Sequence, residues 1–131
     1  MKETEKLKQS IIKNFGTPCP VIDLDIVENN IKRAQARCDA VGLSNRPHIK
    51  THKSPILAKM QIAAGAKGIT CQKLGEAEVM FDAGIKDIII ATNLLGAAGS
   101  GRLASLQKRV GLKVCADNLF SIAAYSDTAH Q

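Results

Sequence analysis

The residues best suited to chemistry lie together at 46–53, which read Arg-Pro-His-Ile-Lys-Thr-His-Lys. Five of these eight side chains are basic or imidazole groups. In an extended strand alternate side chains share one face, so His48, Lys50 and His52 are expected to point the same way. Lys50 stands at the centre of this group and is the candidate for covalent chemistry.

Lys50 could serve as a Schiff-base lysine if its environment favours loss of the ammonium proton. The ordinary pKa of a lysine is about 10.4, and both burial and neighbouring cations lower it. Arg46 and Lys53 would act on Lys50 in this direction. The alternative is a basic, solvated loop. A zinc site on His48 and His52 is less favoured, because their spacing suits a helix and the preceding proline opposes one.

The elements around this stretch alternate between strand and helix patterns. Together with 46–50, three apolar segments predict four parallel strands, at 46–50, 68–71, 87–91 and 112–115. Helices are predicted between and after them, near 73–83, 101–110 and 117–126. Strands that alternate with helices at short spacing form βαβ units. The predicted fold class is therefore α/β, either a small open sheet or the front half of a TIM (β/α)8 barrel.

The N-terminal third contains two further helix patterns. Residues 1–16 are predicted to form a short amphipathic lead-in segment before the domain. Residues 17–131 are predicted to form one partial barrel domain, which opens with a short extended segment at 21–24. Helices are then expected to end at Gly42 and Gly65. Side chains suited to N-cap the helices are predicted at Asp25, Ser54 and Asp117.

Polar residues also follow the other predicted strands. In a TIM barrel the carboxyl ends of the strands face the active site, so Gln72 and Asn93 are candidates for contacting a bound ring. Capping or turn formation is the simpler role for each. The glycine-rich segment 96–101 lacks a phosphate-loop spacing and is predicted to be a flexible connection. Glu76 and Glu78 are predicted to be solvated helix residues.

Composition argues against several classes of protein. The chain has 131 residues and a net charge of +6, but its lysines and arginines mostly stand beside acids and without interleaved aromatics, so nucleic-acid binding is not expected. Its four cysteines lack metal-ligand spacing, which favours free thiols in a reducing cytoplasm. No apolar run has the length of a membrane span or a signal peptide.

Several motifs resemble the N-terminal region of the D-threonine aldolase and D-serine dehydratase family. The Arg-Pro-His-Ile-Lys-Thr-His-Lys run is the specific part. Supporting segments are Thr17-Pro18, Val21 to Asp25, Ile69 to Glu78, and Asn93 to Gly96. These are fold-type III pyridoxal-phosphate enzymes, related to the N-terminal barrel of alanine racemase.

The resemblance implies that Lys50 forms the Schiff base with pyridoxal phosphate and serves as a proton carrier. It implies that Lys50, His52, Gln72 and Asn93 form part of the cofactor site, and that 21–24 pairs with a separate β-domain. Family substrates are D-β-hydroxy amino acids, which are cleaved to glycine and an aldehyde or dehydrated to a keto acid and ammonia. A homodimer, and a divalent metal whose ligands lie outside this chain, are also implied.

Members of the family contain eight barrel strands and a C-terminal β-domain. This chain is therefore expected to be the N-terminal half of such a barrel and to have little or no activity alone. The phosphate-binding, metal and second acid/base residues are expected beyond residue 131. An amino-acid racemase and a non-catalytic pyridoxal-phosphate-binding protein of the same fold remain alternatives. A basic module that binds an anionic partner is a further alternative, and salt-dependent binding would favour it.

Overall fold

The structure is a computed structural model that describes residues 2–94 and 96–130. Within these residues it has three strands, β1 (Ile69–Cys71), β2 (Asp87–Ile90) and β3 (Gly111–Val114). Its six helices in the same residues are α1 (Lys2–Phe15), α2 (Leu24–Asp39), α3 (Pro55–Ala63), α4 (Leu74–Asp82), α5 (Ala97–Gln107) and α6 (Leu119–Ala129). Three residues of predicted segments lie outside the described residues. They are Met1 of segment 1–16, Leu95 of segment 93–96 and Gln131 of domain 17–131.

The three strands form one parallel sheet in the order β1-β2-β3. This confirms the predicted α/β class and three of the four predicted strands. The prediction of a strand at 46–50 is wrong in extent, because His48 makes only an isolated parallel bridge to Thr70. The bridge is held by Ile49 N donating to Thr70 O at 2.9 Å and Thr70 N donating to Pro47 O at 2.8 Å. Segment 45–49 therefore lies along the free side of β1, and the chain turns at Lys50.

One face of the sheet carries the hydrophobic core. Alternate strand residues are fully buried: Ile69, Cys71, Ile88 and Ile90. They cluster with buried side chains from α3, α4 and α5, namely Ala58, Ala77, Met80, Leu103 and Leu106. The intervening strand residues Thr70 and Ile89 are half-buried, and Lys113 is exposed. Within the described residues, these helices pack on the buried face, and the side chains on the other face are partly accessible to solvent.

Local capping chemistry explains where the helices begin. Ser54 caps α3 as predicted, with its hydroxyl accepting from Leu57 N at 3.4 Å. The cap predicted at Asp25 is instead Asp23, whose carboxylate accepts from Ile26 N at 3.1 Å. The helix therefore includes Leu24, and no strand forms in the segment predicted to be extended at 21–24.

The other two differences lie near the C-terminus. The cap predicted at Asp117 is instead Asn118, because the Asn118 side chain reaches Ser121 N. The segment 96–101, predicted to be a flexible connection, is mostly helix, since α5 begins at Ala97. Glycine lowers helix propensity without forbidding a helix, so packing of α5 outweighs the local preference here.

Candidate functional site

Lys50 lies in a tight turn that follows the segment paired with β1. Lys53 N donates to Ile49 O at 2.8 Å, which closes the turn around residues 50–52. Lys50 N donates to His48 Nδ1 at 3.2 Å. The Lys50 side chain is exposed, and its ammonium makes no hydrogen bond or ion pair with any described residue. The candidate nucleophile is therefore free to react while its backbone is held.

The predicted alignment of His48, Lys50 and His52 on one face of a strand is wrong. The extended backbone ends at Ile49, so the alternation of side chains does not continue to His52. His52 lies in the turn that leads into α3, with its Nδ1 accepting from Ser54 N at 3.0 Å. This turn carries no strong local signal in the sequence, because no residue between Pro47 and Ser54 is a strong turn former.

Both imidazoles place their second nitrogen in a buried position. Since Nδ1 of His48 and of His52 accepts a backbone N–H, the proton of each neutral ring belongs on Nε2. Both Nε2 atoms are buried; that of His48 has no hydrogen-bond partner in the described residues, whereas His52 interacts with the Gln61 side chain. Burial lowers the pKa of His52, and the hydrogen bonds with the Gln61 side chain and the Ser54 backbone offset only part of this effect.

Glu76 contacts both the Lys50 turn and the end of β1. Its Oε2 accepts from Gln72 N at 2.9 Å and from Lys73 N at 3.3 Å, and its Oε1 lies 3.1 Å from Lys53 Nζ. The prediction that Glu76 is solvated is wrong, because its side chain is only 12% exposed. Burial raises the pKa of this carboxyl, but the Gln72 N–H and Lys53 outweigh burial and leave the pKa below its ordinary value.

Glu78 is less enclosed. Its side chain is about one-third exposed and forms a two-pronged ion pair with Arg102 of α5. This contact is on the helix surface and involves none of the candidate site residues. The prediction of a solvated side chain therefore holds only in part for Glu78.

The remaining predicted residues lie where parallel strands end, along the same edge of the sheet. Gln72 follows β1 and its backbone N–H is bound by Glu76. Asn93 follows β2, and its Nδ2 donates to Asp117 Oδ1 at 2.6 Å. Asp117 follows β3 and joins this edge, a contact that sequence reasoning missed because Asp117 looked like a helix cap. No hydrogen bond or ion pair in the described chain joins Lys50, His52, Gln72 and Asn93 directly.

Arg46 does not supply the positive field predicted to act on Lys50. Its guanidinium donates to both carboxylate oxygens of Asp87 at 2.9 Å, and Lys113 Nζ lies 2.7 Å from Asp87 Oδ1. Asp87 is the first residue of β2, so this charged cluster lies at the amino end of the sheet. The Arg46 side chain reaches Asp87 across Gly68, where a Cβ would fall 2.1 Å from Arg46 Nη1.

Two further features bear on metals and membranes. Within residues 2–94 and 96–130, no group of three or more histidine, cysteine, aspartate or glutamate side chains is arranged to hold a metal ion. Over the same residues, none of the helices is both long enough and apolar enough to cross a bilayer.

Comparison with known proteins gives a consistent set of relatives, although no family model matches the sequence. A D-threonine aldolase from Arthrobacter sp. is 39% identical over 120 residues, which cover 92% of this chain and 32% of the aldolase. The D-threo-3-hydroxyaspartate dehydratase of Delftia sp. is 49% identical over 86 residues, or 66% of this chain and 23% of that protein. The D-serine dehydratase of Dictyostelium discoideum is 34% identical over 86 residues, which are 62% of this chain and 22% of that enzyme.

Solved structures agree with these relatives. The crystal structure of D-threonine aldolase from Filomicrobium marinum matches with a TM-score of 0.85 and 38% identity, over 87% of this chain and 31% of that one. The relatives are aldolases and dehydratases, which are lyases. The chain is homologous to the N-terminal part of the D-threonine aldolase and D-serine dehydratase family. It spans about a third of the length of the relatives it matches.

Proposed function

We propose that Lys50 is the Schiff-base lysine of a pyridoxal-phosphate-dependent lyase that acts on D-β-hydroxy amino acids, by aldol cleavage or by dehydration. The observation that carries this proposal is that the side-chain amine of Lys50 is exposed and, within the described chain, unpaired on a held backbone. Its amine is accessible and unpaired among the described residues, at the carboxyl edge of the sheet, on a turn closed by a backbone hydrogen bond. That combination suits a nucleophile whose position must be fixed while its amine stays free.

The residues around Lys50 fit an anionic, hydrogen-bonding cofactor. Pyridoxal phosphate supplies a carbonyl carbon for the lysine and an electron sink for the substrate. The buried Nε2–H group of His48 has no partner in the described residues, so it could donate to such a cofactor, and His52, which interacts with Gln61, is proposed to lie beside it. The Gln72 and Asn93 side chains end neighbouring strands at the same edge and are proposed to contact it as well.

The proposal also extends to a metal, for which the described residues show no group of ligands. A solved point mutant of D-threo-3-hydroxyaspartate dehydratase is in a metal-free form, and it matches this chain at 41% identity with a TM-score of 0.78. We include a divalent metal in the proposal without assigning its ligands to residues of this chain. We also propose that residues 1–16 form a lead-in segment and that residues 17–131 form the N-terminal half of a barrel domain. The protein is further proposed to be a homodimer located in the cytoplasm.

The test of the proposal is covalent labelling of Lys50. We expect pyridoxal phosphate followed by borohydride reduction to leave a stable pyridoxyl group on the peptide that contains Lys50, detectable by mass spectrometry. Lys50→Ala should lose both this label and the absorbance band of the bound cofactor. Lys59→Ala is the matched control, because Lys59 is an exposed lysine on α3 without an ion pair to the described residues. Labelling spread evenly over surface lysines would reject the proposal.

A further inference from the structure

We propose that Glu76 is a positioning residue that sets the place of Lys50 by joining its turn to the end of β1. This inference rests on the proposed function of Lys50 and goes beyond it, because Glu76 lies on a different element and contacts Lys53 and the Gln72 backbone rather than Lys50 itself. The proposal predicts that a change at Glu76 alters both the order of the 50–53 turn and the reactivity of the Lys50 amine.

The turn that carries Lys50 needs an external tie. Lys53 has a φ of 50°, a left-handed conformation that a residue with a Cβ adopts only at a cost. Within the turn, Lys53 N donates to Ile49 O, and the imidazoles of His48 and His52 accept from Lys50 N and Ser54 N, but none of these bonds holds the Lys53 side chain. Lys53 Nζ lies 3.1 Å from Glu76 Oε1, an ion pair by distance without the geometry of a hydrogen bond, and this charge contact attaches the turn from outside.

Glu76 is in turn held rigidly by its other oxygen. Its Oε2 accepts two backbone N–H groups, those of Gln72 and of Lys73, the N-cap residue of α4. The carboxylate thus connects three features at the carboxyl edge: the Lys50 turn, the backbone of Gln72, and the start of α4. Gln72 is itself a proposed cofactor contact, so Glu76 fixes the spacing between two parts of the same site.

The charge of Glu76 is needed for this arrangement. A carboxylate has two acceptor oxygens and can satisfy the cation and both amides at once. A glutamine would keep one acceptor but would direct an NH2 group at either the amides or the Lys53 ammonium. The low pKa of Glu76 is consistent with a carboxylate that stays ionised at this site.

The first arm of the experiment measures the turn without the cofactor. Hydrogen exchange is followed by mass spectrometry in wild type, Glu76→Gln and Glu78→Gln. Glu78 is a matched control, because it lies on the same helix and is also ion-paired, to Arg102. We expect Glu76→Gln to speed exchange both at residues 72–73 and in the 50–54 segment, and Glu78→Gln to change neither.

The second arm measures the Lys50 amine through the rate of pyridoxyl labelling at Lys50. Losing a charged hydrogen-bond network should slow labelling by about tenfold or more in Glu76→Gln. Lys53→Met should slow it similarly, and Lys53→Arg, which keeps a cation for Glu76, should restore it. The double variant with Glu76→Gln and Lys53→Met should be no slower than either single variant, since both remove one interaction.

The outcomes separate this inference from the proposed function. Faster exchange at 72–73 with no change at 50–54 would mean that Glu76 only caps α4, and would overturn the inference. Faster exchange in both segments with an unchanged labelling rate would overturn it as well. If wild type is not labelled at Lys50, the proposed function fails, and the Lys50 part of the inference fails with it. If Glu76→Gln does not fold, the Lys53 pair of variants gives the same decision.

Discussion

At the scale of single residues, Gly68 decides whether the charged cluster at the amino end of the sheet can form. A Cβ at this position would lie 2.1 Å from Arg46 Nη1 and 2.4 Å from Asp87 O. The second neighbour is backbone and cannot move aside at low cost. The absence of a side chain is therefore what lets Arg46 cross β1 to reach Asp87.

We expect Gly68→Ala to lower the free energy of unfolding by about 1–3 kcal/mol, through overpacking and displacement of Arg46. Gly101→Ala is the matched control, since Gly101 is exposed within α5 and an added Cβ would meet nothing within 4 Å. That control should raise stability by about 0.5–1 kcal/mol. Urea unfolding of the two variants gives the measurement, and equal effects would contradict the steric account.

The same cluster predicts a pH dependence. The Arg46 guanidinium, aided by Lys113, lowers the pKa of Asp87 from 3.8 to about 2. Because the folded-state pKa is depressed, this stabilisation is complete above the ordinary pKa and is lost as the pH falls toward about 2. Asp87 is 32% exposed, so solvent screening should keep the effect to about 1 kcal/mol or less.

The measurement is unfolding free energy against pH for wild type and Asp87→Asn. The difference between the two should shrink through this acidic range and stay constant above it. A difference that instead grows as the pH falls would contradict the assignment of the low pKa to the ion pairs.

Residue types predicted the candidate lysine but not its surroundings. Lys50 follows from the density of basic groups at 46–53. The pairing of Arg46 with Asp87 and of Lys53 with Glu76 joins residues far apart in the chain, and no local pattern encodes such partners. The predicted cationic field around Lys50 is therefore largely compensated by carboxylates in the structure.

At the scale of elements, the start of α6 shows how one residue shifts a predicted boundary. Asp117 and Asn118 are both good N-cap types, but Asn118 Oδ1 accepts from Ser121 N at 2.8 Å and from Ser121 Oγ at 3.1 Å. Ser121 is fully buried, so its two donors depend on that side chain.

Asn118→Ala should therefore cost about 1–2 kcal/mol of stability, as for other lost caps. Asp117→Ala removes contacts among exposed amides only and should change stability by about 0.5 kcal/mol or less. Thermal unfolding of both variants distinguishes them. A larger loss in Asp117→Ala would support the boundary predicted from sequence.

Elements with a strong periodic or capping signal were predicted well. Helix α3 has Ser54 and Pro55 at its start, and strand β2 is a run of isoleucines, so both signals are local. The strand at 46–50 was predicted too long because its end depends on the bond from Lys53 to Ile49 and on the Glu76 contact. Tertiary contacts of this kind override local preference.

At the scale of the whole molecule, one face of the sheet has no helix layer among the described residues. Thr70 and Ile89 on that face are half-buried, while Lys113 and the Lys50 side chain are exposed. Catalysis by a Schiff-base lysine depends on excluding water and on further acid/base groups. The described chain provides the lysine without that enclosure.

We expect the 131 residues alone to show little or no lyase turnover with D-threonine or D-serine, while Lys50 still accepts the pyridoxyl label. Circular dichroism would establish that the preparation is folded, and aldehyde or keto-acid release would measure turnover. A folded preparation of these residues with turnover comparable to a complete relative would contradict this expectation.

The buried thiol of Cys71 has a practical consequence. Burial, followed by the negative charge of Glu76, raises the pKa of Cys71 to about 12, while Cys19 and Cys115 are exposed. Since the thiolate is the reactive form, Cys71 is expected to resist alkylation at neutral pH long after the two exposed thiols have reacted. Because Cys71 is in β1, the delayed alkylation of this one peptide, read by mass spectrometry, would time the opening of the sheet beside Lys50.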